Sequence, residues 1–367
     1  MCVAKNQTTH ARYVNLFKRH YTRLAAVNKP SRPINTTRLL TAVLAAIASA
    51  ATGADVSYYG VLKSIQFLQT NPAAAPVNVP SNGYAFTSLA VASTNNVLTN
   101  ATVKAGSAAA VALAPTTNNT YWIYSQFFNS QPALDSAFPV GSTFSQTPYQ
   151  MTLSTVHDGV HTAALNFFVI FTALTYPQAP QITNLAAAAA IDTTADFTVG
   201  WKPLSSGTIP LVEFSIMDLA SNVWFTSPAP LSTGALGISS TSIVIPAYTL
   251  PPATKLIGHL TVGNAAIPDT SDYSGATGVA AVASDTEFPL NTRAAPAVPL
   301  LSVPTWTGGR PLVHLSGETN RIYQILTSTN ASTWTNLFTT NCAAGAFSFT
   351  DTPPVGPLRL YRAKVGQ

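Results

Sequence analysis

Charged side chains are scarce in this 367-residue chain, where Asp, Glu, Lys and Arg together make up 8% of the residues. An average soluble domain has about 25%. Surface polarity must therefore come mainly from hydroxyl and amide groups, which is common outside the cell and unfavourable for acid–base chemistry. Apolar residues make up 47% of the chain, enough to build the cores of two or three domains.

Cysteine is nearly absent too, since the chain has only Cys2 and Cys342. Because Cys2 lies in the N-terminal leader described below, no disulfide can form within the rest of the chain. Stability must then come from packing and from β-ladders. Long apolar runs are also missing, and a membrane-spanning helix needs about 20 such residues. We therefore expect no membrane span after leader cleavage.

The N-terminal segment, residues 1–54, has no acidic residue but contains eight of the 18 Lys and Arg residues. It continues into the apolar run Leu39–Ile47 and two small-residue motifs, Ala48-Ser49-Ala50 and Thr52-Gly53-Ala54. This order predicts a helical signal peptide with two possible cleavage sites. Downstream, ten basic residues face 13 acidic ones, so the net positive charge belongs to the leader and does not indicate nucleic-acid binding.

Two other interpretations of the leader stay open. An organelle transit peptide is also basic and free of acidic residues, and an uncleaved signal anchor would keep the segment in place. The basic region before Leu39 is unusually long, so translation could start downstream of Met1. We expect an exported protein that is secreted or held at the cell surface.

Beyond the leader, short alternating runs are separated by Pro, Gly, Asn and Ser, which is typical of β-sandwiches. We predict an all-β fold: tandem antiparallel β-sandwiches with a small C-terminal β module, after the helical signal peptide. The predicted boundaries are 1–54 for the leader, 55–178 and 181–292 for two sandwiches, and 304–367 for the module. Pro-rich linkers join these parts. The predicted strands include Tyr121–Phe128, Leu165–Leu174, Ser242–Ile245 and Leu256–Val262, the last of which is the final one before the linker Arg293–Pro299.

Two segments of the second predicted sandwich carry a family resemblance. Asp196–Trp201 resembles the second strand of a fibronectin type III-like sandwich, which contains a buried Trp. Leu250–Leu256 is similar to the Leu-x-Pro-x-Thr-x-Tyr corner of that family, with Leu256 at the Tyr position. The corner hydrogen bond of a tyrosine hydroxyl therefore cannot form here. The resemblance implies a sandwich fold and an extracellular or modular role, without chemistry of its own.

The last 60 or so residues carry a second resemblance. Their order of Tyr323, Trp334, Phe349-x-Asp351 and Tyr361-Arg362 resembles a short β module at the end of secreted bacterial surface proteins. In those proteins the module looks like a terminal structural unit. A core of this size is marginal by itself, so we expect it to pack on the second predicted sandwich, 181–292, or on a partner.

The densest polar cluster is His157-Asp158-Gly159-Val160-His161. Asp-Gly favours a hairpin turn, and a polar hairpin tip is the interpretation that we prefer. The alternative is a metal site with His157, Asp158 and His161 as ligands. Two acidic pairs, Asp192/Asp196 and Asp269/Asp272, could contribute to calcium binding, but their spacing favours Asx turns.

Catalytic motifs are missing: there is no Gly-x-Ser-x-Gly elbow, and the three glutamates lie in separate segments. We predict no catalytic residues and no cofactor. The favoured function is a non-catalytic secreted or cell-surface structural or adhesion protein, which self-associates or binds other surface proteins. The first alternative is a carbohydrate-binding protein that uses Trp122, Tyr124 and Trp224. The second is a secreted polysaccharide hydrolase.

Overall fold

The computed structural model describes residues 53–116, 119–141, 149–169, 172–205, 207, 209–295, 298–302, 305–307, 310–351 and 358–366. The predicted signal peptide lies outside these ranges, apart from Gly53 and Ala54. Within them the chain forms 24 strands and two short helices, so the predicted all-β fold class is confirmed. Neither of these helices is long and apolar enough to cross a membrane.

The described chain forms two compact units. The first unit runs up to Ile191 and resumes over Asp196–Thr292, and the second comprises Asp192–Ala195 and the residues from Arg293 onward. The elements of the first unit are β1 (Val56–Leu68), β2 (Val77–Asn78), β3 (Tyr84–Ala92), β4 (Leu98–Ala105), β5 (Val111–Ala112), β6 (Ala114–Pro115), β7 (Tyr121–Phe128), α1 (Gln131–Ala137), β8 (Tyr149–Thr155), β9 (Val160–Leu165), β10 (Phe168–Val169), β11 (Thr172–Ala173), α2 (Leu185–Ala188), β12 (Phe197–Gly200), β13 (Pro210–Asp218), β14 (Val223–Thr226), β15 (Ser242–Ile245), β16 (Lys255–Ala265) and β17 (Thr277–Asn291).

One nine-stranded sheet, in the order β14-β13-β16-β17-β1-β3-β7-β6 with β2 attached to β1, runs through the first unit. Strands β1 and β17 pair in parallel, from Tyr58 opposite Thr277 to Leu68 opposite Glu287, whereas the other pairs in this sheet are antiparallel. Both predicted sandwiches, 55–178 and 181–292, thus contribute strands to the same sheet. The four predicted domain boundaries stay a prediction.

The part of this sheet around β1 and β3 packs against a four-stranded sheet, β5-β4-β8-β9. Alternate residues of β1, including Tyr59 and Val61, point into the core between the sheets, as period-two alternation requires. Phe86 on β3 stacks on Tyr149 of β8 at 5.5 Å between ring centroids. The two packed sheets thus form a β-sandwich from strands of the first predicted domain, 55–178.

The other part of the large sheet packs against the two-stranded sheet β12-β15. Trp201, directly after β12, is buried and stacks on Phe214 at 6.2 Å. The indole N–H of Trp201 donates to the Ser240 carbonyl at 2.7 Å. The β-sandwich and the buried Trp that the fibronectin type III resemblance implied are therefore confirmed.

The corner before β16 is closed without a tyrosine. The hydroxyl of Thr292 donates to the Pro251 carbonyl at 2.7 Å and accepts from the Thr254 amide at 2.9 Å. Leu256 is buried in the core between the large sheet and the sheet β12-β15. A threonine from the end of β17 thus supplies a hydrogen bond across this corner.

The second unit is a small β module with two sheets, β18-β20-β19 with β23 on β20, and β22-β21-β24. Its core contains Val313, Tyr323, Ile325 and Phe349. The residues that carried the second resemblance have structural contacts, because Tyr361 donates to buried Asp351 at 2.7 Å. The strands are β18 (Leu300–Leu301), β19 (Thr305–Thr307), β20 (Arg310–Ser316), β21 (Arg321–Ser328), β22 (Thr335–Cys342), β23 (Ala346–Thr350) and β24 (Leu360–Val365).

A buried lysine connects α1 to the first core, which lies between β1 and β3 of the large sheet and the four-stranded sheet. The Lys63 side chain is fully buried, forms an ion pair with Asp135 of α1 and donates to the Phe138 carbonyl at 2.7 Å. Burial lowers the pKa of Lys63, and the bond to Asp135 acts in the opposite direction. The ammonium thus stabilises α1 through two acceptors, at a cost in desolvation.

We expect Lys63→Ala to lower the free energy of unfolding by about 3 kcal/mol, because Asp135 then loses its cationic partner and the Phe138 carbonyl loses its side-chain donor. Lys63→Met keeps the apolar volume and should cost less. Urea unfolding followed by tryptophan fluorescence measures both variants. The control, Lys104→Ala on β4, should change stability by less than about 0.5 kcal/mol. An equally small effect at Lys63 would show that the ion pair does not stabilise the sandwich.

Candidate functional site

Two of the three predicted sugar-binding aromatics lie in or against the first core. Trp122 is buried, and its indole N–H donates to the Asn119 carbonyl at 3.2 Å. Tyr124 is half-buried and contacts Phe86, with 6.4 Å between ring centroids. Its hydroxyl donates to the Gln126 side chain at 2.6 Å. The structure therefore gives both rings a packing role.

Trp224 differs, because its side chain on strand β14 is 38% exposed. The indole N–H lies 3.4 Å from a carboxylate oxygen of Asp218, and the Asn222 amide donates to the same oxygen at 2.8 Å. Asp218 also accepts from the backbone amides of Ala220 and Asn222, each at 2.9 Å. The hairpin between β13 and β14 thus places an open aromatic ring beside a carboxylate and an amide.

The electrostatics of this hairpin favour an ionised Asp218. Burial raises the pKa of Asp218, but hydrogen bonds from Asn222, Trp224 and Ala220 outweigh burial and leave the pKa below its ordinary value. The ionised carboxylate accepts four hydrogen bonds from Ala220, Asn222 and Trp224, so it fixes the hairpin and the Trp224 ring in place. A ring face with adjacent acceptors and donors is suited to stacking on a sugar.

The predicted hairpin tip at His157–His161 joins β8 to β9 and contacts the residue before β1. The His157 ring lies 2.8 Å from one oxygen of Asp55, and the His157 amide donates to the other at 2.7 Å. The Asp55 amide in turn donates to Asp158 at 2.7 Å, and so does the Tyr273 hydroxyl at 2.6 Å. This cluster of four residues holds together segments that are far apart in sequence.

The pKa values of the pair shift in opposite directions. Burial raises the pKa of Asp55, but the hydrogen bonds and charge of His157 outweigh burial and lower it overall. The hydrogen bond to Asp55 raises the pKa of His157. The contact is therefore an ion pair in the pH range where both groups are charged.

The two histidines of the predicted metal site do not converge on the Asp158 carboxylate. The His157 ring faces Asp55, whereas the His161 ring stacks on Tyr273 at 3.7 Å and its Nε2 lies 3.1 Å from the Asp158 backbone carbonyl. In the described part of the chain, no three His, Cys, Asp or Glu residues form a group that could hold a metal ion. The arrangement fits the hairpin-tip interpretation.

Each predicted acidic pair forms an Asx turn. Asp192 accepts from the amide and hydroxyl of Thr194, and Asp269 accepts from those of Ser271. Arg321 also binds Asp192, and this contact lowers the pKa of Asp192 to about 2. The second members lie elsewhere, since Asp196 accepts from the Ala247 amide and Asp272 from the Ala164 amide.

A row of buried polar residues, missed by the sequence analysis, crosses the centre of the nine-stranded sheet. Asp285 on β17 lies 3.0 Å from the His259 ring and accepts from the Thr261 hydroxyl at 2.7 Å. Gln66 donates to Glu287 at 3.2 Å. His259 and Thr261 on β16, and Asp285 and Glu287 on β17, lie two residues apart, so each pair shares a face of the sheet. This spacing is the sequence signal that could have revealed the row. All five residues are buried, so the row contributes to sheet pairing and is not open to a substrate.

Similarity to known proteins is found among solved structures. No family model matches the chain, and no curated protein matches it. Among solved structures, the chain is similar to the FN1–FN3 domains of chicken CNTN1, with a TM-score of 0.23, 10% identity, and coverage of 73% of this chain and 85% of that one. It is also similar to a tetra-tandem repeat in the extending region of a large adhesion protein, with a TM-score of 0.19, 12% identity, and coverage of 80% and 66%. TM-scores this low do not establish a common topology, and the strand pairing of the chain itself defines the fold.

The Asp55–His157 pair predicts a pH dependence. The raised pKa of His157 gives stability that is complete below its ordinary value of 6.5 and is lost as the pH rises through the raised pKa. The lowered pKa of Asp55 gives stability that is complete above 3.8 and is lost as the pH falls through the lowered pKa. We expect His157→Gln to lower the melting temperature most between these two values.

Thermal melts from pH 3 to pH 9 test this expectation, with His314→Gln as a control whose ring contacts Ser348 in the second unit. The difference between wild type and His157→Gln should shrink on both sides of the range. A difference that does not vary with pH would mean that the ring acts through packing rather than charge.

Proposed function

We propose that this protein is a non-catalytic, secreted or cell-surface structural or adhesion protein that self-associates, or binds other surface proteins, by strand addition. The observation that carries the proposal is strand β22, an uncharged edge strand of eight residues in the second unit. An exposed edge presents unpaired backbone groups to which another strand can add.

Strand β22 pairs with β21, and among the described strands it has no neighbour on its other side. Phe338 points into the module core, whereas Thr339 and Asn341 are exposed. The strand contains neither Lys, Arg, Asp, Glu nor Pro. It therefore lacks the residues that usually prevent edge-to-edge pairing.

Two other edge strands of the described chain carry such residues, and the edge strands without them, such as β9 and β14, are shorter than β22. Strand β24, at the opposite edge of the same small sheet, contains Arg362 and Lys364. Strand β6, at one end of the large sheet, ends in Pro115. The contrast within one small module supports β22 as the surface for association.

We expect Thr339→Lys/Asn341→Lys to abolish self-association, because the lysines of one copy would lie beside those of the other when two β22 strands pair, and like charges repel. The matched control is Ser332→Lys/Thr333→Lys, which places the same charge in the exposed loop before β22. Light scattering over a concentration series measures the mass of the purified protein. A monomeric wild type, or equal assembly of the two variants, would contradict strand addition at β22.

A second candidate function, carbohydrate binding, is favoured by the open Trp224 ring beside Asp218 and Asn222. We expect Trp224→Ala to weaken binding to an insoluble polysaccharide about tenfold, the loss of one stacking contact. Trp306→Ala is the control, because Trp306 is an exposed Trp of the second unit. Pull-down on cellulose, chitin and xylan measures both. No binding by the wild type, or equal loss in both variants, would rule out a Trp224 site.

A further inference from the structure

Asp55 is the residue at which the chain enters the first sandwich. Gly53 is exposed and Ala54 is half-buried, whereas Asp55 is only 6% exposed. The Asp55 carbonyl accepts from the Ser93 amide at 2.9 Å, and Val56 begins β1. The backbone is therefore fixed from Asp55 onward.

The backbone nitrogen of Asp55 faces a carboxylate. It lies 2.7 Å from Oδ2 of Asp158, and the Tyr273 hydroxyl holds the same oxygen at 2.6 Å. Independently, the motif Thr52-Gly53-Ala54 in the sequence ends at the bond that precedes this nitrogen. The predicted cleavage site and the Asp158 carboxylate thus both adjoin the backbone nitrogen of Asp55.

We propose that the leader is removed by hydrolysis of the Ala54–Asp55 bond and that the new α-ammonium group of Asp55 pairs with Asp158. Water adds to the Ala54 carbonyl, the C–N bond breaks, the leader leaves with a terminal carboxylate, and both protons of the water pass to the Asp55 nitrogen, which becomes an ammonium group. This inference rests on the export that is part of the proposed function.

The charges of the cluster support this site over the alternative one. Asp55 and Asp158 are two carboxylates, and His157 is the cation that contacts Asp55. An α-ammonium group at Asp55 supplies a second cation, so that the charges balance. Cleavage after Ala50 would instead place the new amine at Ala51, four residues upstream. An ordinary peptide N–H of Asp55 would then face Asp158.

The first test is expression of the full chain with its own leader in an exporting bacterial host, followed by N-terminal sequencing and intact mass. The expected N-terminus is Asp55. An N-terminus at Ala51 would overturn this inference and leave the proposed function standing. Retention of Met1 would overturn the inference and also the export on which the proposed function depends.

The second test measures the amine itself. Two purified forms, beginning at Asp55 and at Ala51, are acylated at pH 8. Pairing with Asp158 should raise the pKa of the α-amine by about one unit, so at pH 8 the Asp55 form should react about fivefold more slowly. Asp158→Asn, which keeps a hydrogen-bond acceptor, should remove the difference, whereas the control Asp272→Asn should not. Equal rates for the two forms would overturn the pairing.

Discussion

The parallel pairing of β1 with β17 is the interaction on which the rest of the first unit depends. It joins the strands of residues 55–178 to those of residues 181–292 in one continuous sheet. Nearly every residue of both strands is buried, on both faces of the sheet. Small residues allow the close fit, because a Cβ at Gly278 would lie 2.6 Å from the Tyr59 ring. Closing a loop of some 200 residues for this pairing has an entropic cost that increases only slowly with loop length.

This dependence explains what the sequence could predict. Strand β7, Tyr121–Phe128, and strand β15, Ser242–Ile245, have the predicted bounds because aromatic and β-branched residues favour strands locally. Strand β17 was missed, since its alanines and its acidic pair Asp285 and Glu287 argue against a strand. Tertiary burial overrides those preferences. The single strand predicted over Leu165–Leu174 is wrong for a related reason: β9 already ends at Leu165, and Phe168 pairs back with Ala173 in a separate hairpin.

For the candidate sites too, the local features were predictable from the sequence and the long-range contacts were not. The Asp-Gly pair at 158–159 indicated a hairpin tip, which is local information. The partners Asp55 and Tyr273 are more than 100 residues away in sequence, and only the assembled sheet brings them to Asp158. Alternation also could not distinguish Trp122 from Trp224, because it shows which residues share a face but not which face is covered.

Low charge gives the remaining link to function. Several of the chain's few ionised groups serve the interior or its margin: Lys63 holds α1, Asp158 holds the start of β1, and Asp351 holds Tyr361. The outer surface carries mainly hydroxyls, amides and backbone edges, with a few open rings such as Trp224 and few charges such as Arg362 and Lys364. Recognition by such a surface depends on backbone pairing and stacking rather than on ion pairs, so it is little affected by ionic strength. That property is consistent with the proposed role in association by strand addition.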